Sequence, residues 1–294
     1  MNSYSSHVMI GIKGDLILGG ASMLFKKDVE QKTIRDVQMV NGTITFKKIR
    51  LNVYCFFVDG VLIDTGAKAL EREFKSFFKE LDIDQVAITH FHEDHTGNAA
   101  FLQEERNVPL YMSNRMIDYC RKKADYPFYR KVFWGKRKPF KAEPIGETFA
   151  SHNAKWKVVE TPGHAVDHLT FLNEETGQLF TGDLYCQTKT KVTLREESIP
   201  TIIDSLQKVL TYDFEDVFCS HAGYLNDGRA ALERKLDYLL NLQGEILKMY
   251  QEGRTPKSIK ETLFPKKYPI KFLSSGEWDS MHIVNSIIQN ENAS

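Results

Sequence analysis

The sequence predicts a mixed fold of strands and helices, α+β in class, closed by a helical C-terminal extension. Three observations carry this expectation. Residues 43–65 form consecutive apolar, β-branched runs, residues 67–123 alternate helical and strand-like periods, and the pattern after residue 226 is helical. A chain of 294 residues suits one large domain with appended helices.

Taken in order, residues 1–36 show no readable period and form an N-terminal segment without an assigned role. The runs TITFKKI, LNVYCFFVD and VLIDTG, broken by Asp59-Gly60, read as a strand meander. Leu70, Phe74, Phe77, Phe78 and Leu81 recur at helical spacing between charges, which predicts an amphipathic helix over 67–81. A strand QVAITH follows, then a helix over 97–105, a strand VPLYM and a helix over 114–123. Residues 125–148 are aromatic and basic without a period and are punctuated by Pro127, Pro139 and Pro144, so a loop or irregular helical cap is expected within about 113–150. Strands resume as WKVVETP, HLTFLNEE and QLFTGD, the last two joined by Thr176-Gly177. A helix over 200–210 and a strand DVFCSH complete a catalytic body placed at 37–225. The extension at 226–294 is broken near Pro265 and Pro269.

Composition narrows the function. Lys plus Arg and Asp plus Glu number 39 each, so the chain has no global attraction for nucleic acid or an anionic membrane. The apolar stretch 8–25 is interrupted by Lys13 and Asp15 and lacks a basic leader, which predicts a cytoplasmic protein without a membrane partner. Cys55, Cys120, Cys186 and Cys219 are scattered with no CxxC pair, the pattern of reduced thiols.

The chemistry concentrates in Thr89-His90-Phe91-His92-Glu93-Asp94-His95-Thr96-Gly97-Asn98, where an apolar strand ends and a helix begins. Imidazole nitrogen and carboxylate oxygen suit a borderline divalent metal, and a loop after a strand lets alternate side chains converge. Further donors follow other strand ends: Pro162-Gly163-His164, Thr181-Gly182-Asp183 and Ser220-His221. One such histidine reads as an ordinary core or surface residue; five with two aspartates read as a metal site. Glu93 is expected to face solvent or anchor backbone.

Through HFHEDH, PGH164, TGD183, SH221 and the upstream LIDTG with Asp64, residues 41–223 resemble the metallo-β-lactamase superfamily, and specifically its glyoxalase II-like and lactonase-like dinuclear branch. The resemblance implies an αββα four-layer sandwich with metals at one edge. It implies that His90, His92 and His164 hold one ion, that Asp94, His95 and His221 hold a second, and that Asp183 bridges them. Asp64, and His168 four residues after His164, are expected to orient these ligands. Two divalent ions follow, zinc first, with iron or manganese alternatives. Such ions acidify water toward pKa ~7, so a metal-bound hydroxide forms at neutral pH.

Asp94, Asp183, Tyr185 and Tyr224 are the candidate catalytic residues, the tyrosines as substrate-oxygen binders or proton donors. Either ring could equally serve packing alone. Tyr126, Tyr129, Phe133 and Trp134 of the cap are candidates for a substrate pocket. Arg130, Lys131, Lys136, Arg137 and Lys138 could attract an anion or form a solvated face. The implied activity is hydrolysis of a small-molecule ester, thioester or lactone. The alternative is a phosphodiesterase or ribonuclease of the same superfamily, disfavoured by the neutral charge and by the absence of a nucleic-acid module. A scaffold that lost its chemistry is disfavoured by the full ligand set. A flavin-linked relative is disfavoured by the retained histidines, and an antibiotic-cleaving one by Asp183 where that branch has cysteine. The C-terminal helices could shape the pocket or form a homodimer contact.

Overall fold

The computed structural model describes residues 25–47 and 49–293. Most of the segment 1–36, and all of the stretch 8–25 except Phe25, lie outside the described residues. What is described of it is a strand, β1 (Phe25–Ile34), paired with β2 (Val37–Phe46). Half of its sequence FKKDVEQKTI is charged, and among the described residues β1 is an edge strand, where charge discourages pairing with other chains.

The meander continues through β3 (Ile49–Val58) to β4 (Val61–Ile63), around Asp59 and Gly60 at φ 49° and 84°, the paired left-handed residues of a tight hairpin. A 3-10 turn (Lys68–Leu70) opens α1 (Glu71–Lys79), and β5 (Gln85–Ala87) leads to α2 (Glu93–Thr96) and α3 (Ala99–Arg106). Then come β6 (Leu110–Met112), α4 (Ile117–Cys120), α5 (Phe128–Trp134) and β7 (Glu143–Pro144). Strands β1 to β7 form one sheet in sequence order, antiparallel as far as β4 and parallel beyond it. The helix expected over 114–123 is reduced to α4 behind a 3-10 turn (Asn114–Met116) that Ser113 caps.

The second sheet takes β8 (Thr148–Ala150), β9 (Lys155–Glu160), β10 (Leu169–Asn173) and β11 (Gln178–Phe180). After β12 (Thr193–Leu194) and α6 (Ile199–Leu210) come β13 (Asp216–Cys219) and β14 (Gly223–Leu225), giving the order β14-β13-β11-β10-β9-β8. The extension is α7 (Gly228–Gln251), α8 (Pro256–Leu263), α9 (Pro269–Leu273), β15 (Trp278–Asp279) and α10 (Ser280–Ala293). Strand β15 interrupts the helical pattern expected after residue 226, because β12 supplies it with a ladder partner.

Alternation along the strands builds three apolar layers between four structural ones. Val53, Cys55 and Leu62 face α1 and α3, while Phe56, Val58, Val61 and Ile63 face the second sheet. From the opposite side Phe171, Phe180 and Phe218 meet them, with Phe56 5.3 Å from Phe180 and Phe180 5.0 Å from Phe218. Leu172, Leu179 and Val217 turn outward to α6, α7 and α10. Each buried Phe contributes about 1.5–3 kcal/mol of burial. The result is the αββα sandwich with its helical extension.

Topology fixes where the polar loops go. Strands β9 and β11 are both antiparallel to β10, hence parallel to each other, and β13 runs parallel to β11. The loops after β9, β11 and β13 therefore leave the second sheet at one edge. Cross-sheet hydrogen bonds fasten that edge to the first sheet: Leu169 N–H donates to Thr89 O at 2.8 Å, and Tyr54 N–H to Ser220 O at 2.7 Å.

Candidate metal centre

The structure brings all seven expected ligand residues to this edge. His90, His92, Asp94 and His95 leave the end of β5; His164, Asp183 and His221 come from the loops after β9, β11 and β13. Two of the turns depend on glycine. Gly182 has φ +50°, and a Cβ there would lie 2.6 Å from His168 Nε2. Gly163 has φ +132°, and its Cβ would meet Ile202 N at 2.7 Å.

In one half, His90 Nε2 and His164 Nε2 lie 3.0 and 3.1 Å from His92 Nδ1. The outward nitrogens decide what these three can do. His92 Nε2 meets Glu196 Oε1 at 2.8 Å and His164 Nδ1 meets Glu197 Oε2 at 3.3 Å. Carboxylates only accept, so those nitrogens carry the protons. The Thr89 hydroxyl donates to Asp64 Oδ2 at 2.8 Å, so it accepts from His90 Nδ1 at 3.0 Å. Three imidazole lone pairs are thereby turned on one point, an arrangement that repels itself unless a cation sits there. Burial and the neighbouring imidazole of His95 push His90 well below its ordinary pKa; burial and Arg130 do the same for His92.

The other half is rich in carboxylates. His95 Nε2 lies 3.4 Å from Asp183 Oδ1 and 3.9 Å from Asp94 Oδ2, and His221 Nε2 lies 2.9 Å from Asp183 Oδ2 and 3.6 Å from Asp94 Oδ2. Burial opposes charge on both histidines, but the carboxylates outweigh it: His95 is held well above the usual range and His221 is raised to about 9. Asp183, whose Oδ2 is also 3.3 Å from His164 Nε2, touches both halves. His95 Nε2 and Asp183 Oδ1 are buried without a hydrogen-bond partner. Unpartnered buried donors of this kind fit a divalent cation, and the His/Asp set is able to bind metal ions.

Asp64 orients both halves. Fully buried at φ +60°, it accepts His95 Nδ1 at 2.7 Å and the Thr89 N–H at 2.8 Å. The unusual backbone is held by these bonds. His168 acts on the Asp183 loop: its Nε2 accepts the Asp183 N–H at 2.9 Å while its Nδ1 meets Thr161 Oγ1 at 2.8 Å. It therefore steadies the backbone of Asp183 without reaching the cluster's ligand atoms. Burial lowers its pKa to about 3, so it stays neutral.

Glu196, Glu197 and Asn52 were not foreseen. Asn52 O accepts from His221 Nδ1 at 2.5 Å and its Nδ2 donates to His221 O at 2.9 Å, a two-way clasp. No motif marks Asn52, inside a strand, but the carboxylate pair stood in the sequence immediately before Ser198, the cap of α6.

Several expectations need correction. Tyr224 lies on β14 with its hydroxyl donating to Asp216 Oδ1 at 2.8 Å, and the Tyr185 hydroxyl is 3.0 Å from Thr188 Oγ1; neither hydroxyl bonds a cluster side chain. Phe133 packs into the helical side of the first sheet, 5.5 Å from Phe25 and 6.1 Å from Phe46. The Tyr126 hydroxyl closes the cap itself, donating to Gly135 O at 2.8 Å. Tyr129 and Trp134 are half-buried against the same core. Glu93 is buried, not solvent-facing, in a two-bond pair with Arg130 at 2.7 Å each, and Arg130 adds Glu277 at 3.2 Å. Arg137 is buried too, donating to Cys120 O at 2.8 Å. Arg130 is held by two carboxylates, whereas Arg137 bonds through Nη1 alone and lies near the rings of Tyr119 and Phe140.

A family model of the metallo-beta-lactamase superfamily matches residues 49–221, more than half of the sequence. The chain belongs to the metallo-beta-lactamase superfamily. Among curated proteins it is 34% identical over 130 residues to the thioesterase pkgB of Emericella nidulans, covering 42% of this chain and 32% of that protein. It is 26% identical over 233 residues to an atrochrysone carboxyl ACP thioesterase of Passalora fulva, covering 75% of this chain and 63% of that one. It thus spans less than two thirds of either relative. A solved beta-lactamase domain protein from Burkholderia ambifaria superposes with a TM-score of 0.67 at 18% identity, covering 89% of this chain and 88% of its own, which shows the shared fold. No helix among the described residues is long and apolar enough to cross a membrane.

Proposed function

We propose that the protein is a dinuclear metal-dependent hydrolase of small esters, thioesters or lactones, with thioesters the favoured class. The observation that carries the metal reading is the set of three imidazole lone pairs converging beside two unpartnered buried donors, His95 Nε2 and Asp183 Oδ1. The two fungal relatives named thioesterases support the substrate class. His90, His92 and His164 would hold one ion, Asp94, His95 and His221 the other, and Asp183 both.

Bound there, two divalent ions, zinc first, supply an acidified water and a Lewis acid for the acyl oxygen. The protein's residues do the rest. Thr89, Glu196 and Glu197 fix the imidazole protons on the outward nitrogens, and Asp64 and Asn52 aim His95 and His221. Water oxygen bonds to the acyl carbon, the carbon–sulfur bond breaks, and the thiol leaves with a proton. The catalytic body is read as 37–225 with its cap at 113–150, and 226–294 as an extension packed on the second sheet. Four free cysteines support a reducing, cytoplasmic compartment.

The test is metal analysis with a hydrolysis panel of thioesters, lactones, aryl esters, bis-aryl phosphodiesters and short RNA, run beside Asp183→Ala. About two ions per chain, with acyl hydrolysis lost in the variant, is the expected result. Phosphodiester or RNA cleavage would reassign the reaction. Less than one ion per chain in metal-replete buffer would end the dinuclear reading.

A further inference from the structure

On the cap, Arg130 and Arg137 turn inward onto Glu93, Glu277 and a backbone carbonyl. On the C-terminal extension, Lys235 and Arg229 likewise donate to backbone carbonyls, but the lysines near residues 260–267 do not. Residues 254–273 carry six Lys or Arg against one Glu, in a chain with zero formal charge. Lys260, Lys266, Lys267 and Lys271 line a cleft of about 170 Å³ together with Tyr268 and Phe272. Lys271 is neutralised by Asp279 at 2.5 Å, whereas Lys260, Lys266 and Lys267 pair with no carboxylate among the described residues. Phe272 is 72% exposed, an aromatic face offered to solvent at the rim.

The cleft is joined to the metal cluster by the small sheet of β12 and β15, in which Thr193 faces Asp279 and Leu194 faces Trp278. At one end of this ladder Val192, Asp279 and Ser280 line the cleft. Beyond the other end, Glu196 and Glu197 contact His92 and His164, and Glu277 contacts Arg130. From Thr193 to Glu196 is three residues, at most about 10 Å of extended chain.

We infer that this cleft binds the phosphorylated nucleotide end of a coenzyme A thioester, so that the pantetheine arm runs beside β12 to the metal cluster. The inference rests on the thioester reading above. Its chemistry matches the cleft: phosphates meet unpaired ammonium groups, and an adenine meets the exposed ring of Phe272. The uncharged arm needs no cation along its path. A nucleic acid also seeks lysines and aromatics, but it requires a basic track that follows its backbone. Here three unpaired lysines, Lys260, Lys266 and Lys267, share one small cleft.

The test uses the full chain and the double variant Lys266→Glu/Lys267→Glu, both positions exposed. Calorimetry measures binding of coenzyme A and, separately, of a short single-stranded RNA. Kinetics give the ratio of kcat/KM for acyl-coenzyme A over the same acyl group on N-acetylcysteamine, across several chain lengths. Coenzyme A should bind, more weakly at higher salt, and the variant should lose about tenfold in affinity and about tenfold in that ratio. Equal coenzyme A affinity in both proteins, or RNA binding alone that the variant loses, overturns the inference. If N-acetylcysteamine esters are hydrolysed while the ratio stays near one in both proteins, the thioester reading stands and the cleft assignment fails. If coenzyme A binding weakens as expected but no thioester is hydrolysed, the cleft stands and the reaction assignment fails.

Discussion

The two halves of the cluster are built on opposite electrostatic terms. Around His90 and His92, burial and neighbouring cations disfavour protonation, and the outward nitrogens are tied to Thr89 and Glu196. Around His95 and His221, three carboxylates favour it, so protons must leave when an ion enters. In the first half two imidazoles favour the neutral form and only His164, against its burial, is held above its usual range by Glu197 and Asp183; in the second both histidines must exchange a proton for a cation. Filling of the second half should therefore depend more steeply on pH.

The largest expected effect comes from separating the halves. His90→Ala should abolish hydrolysis and remove the first ion, whereas His221→Ala should leave close to one ion per chain. Elemental analysis across pH 6–9 checks this, and equal losses in both variants would show that the halves bind as one unit. Next is Arg130→Met, which strands the buried Glu93 charge beside both halves and should cost roughly 3–5 kcal/mol of stability. Glu93→Leu added to it should restore most of that in a denaturant titration. A failure to recover would place the loss elsewhere.

Smaller effects sharpen the contrast. Asp64→Asn should weaken metal affinity about 10–100-fold, because Asp64 holds both His95 and the Thr89 relay to His90. Among the cluster histidines Glu197 touches only His164, so Glu197→Gln should cost about tenfold at the first ion alone; competition with a chromophoric chelator separates the two. Outside the cluster ligands, Asp167→Asn tests burial alone. Burial raises the Asp167 carboxyl to about 7, above its unfolded value, so its stabilising protonated form is fully present only at low pH and is lost as pH rises through 7. The Asn variant should gain over wild type on the order of 2 kcal/mol by pH 8 and little at pH 4, read from unfolding curves. A gain independent of pH would contradict that assignment.

The sequence made the ligands visible because each stands in a short polar motif just after an apolar strand, a juxtaposition chance seldom produces. It also showed the strands whose two apolar faces serve two cores, as in Val53 to Val58. The partners of those ligands were hidden for a physical reason. Glu196 and Glu197 reach His92 and His164 across the sheets, and nothing local marks a contact between residues about 100 and 30 positions apart. Glu93 was misread because an acidic residue at a helix start ordinarily faces water, and only the tertiary arrival of Arg130 makes its burial tolerable. Strand β1 escaped since an exposed edge strand needs no apolar alternation, and β15 since two residues cannot display a period.

The tie from Arg130 to Glu277 also bears on how the chain matures. Glu93 leaves the ribosome 184 residues before Glu277, an interval of roughly 10–40 s at ordinary elongation rates. Until then Arg130 lacks its third contact, and β12 lacks the strand that closes the small sheet above Glu196 and Glu197. The ligand set is complete once His221 is made but its surroundings are finished only with Glu277, so metal capture by a nascent chain should be weaker than by the released protein.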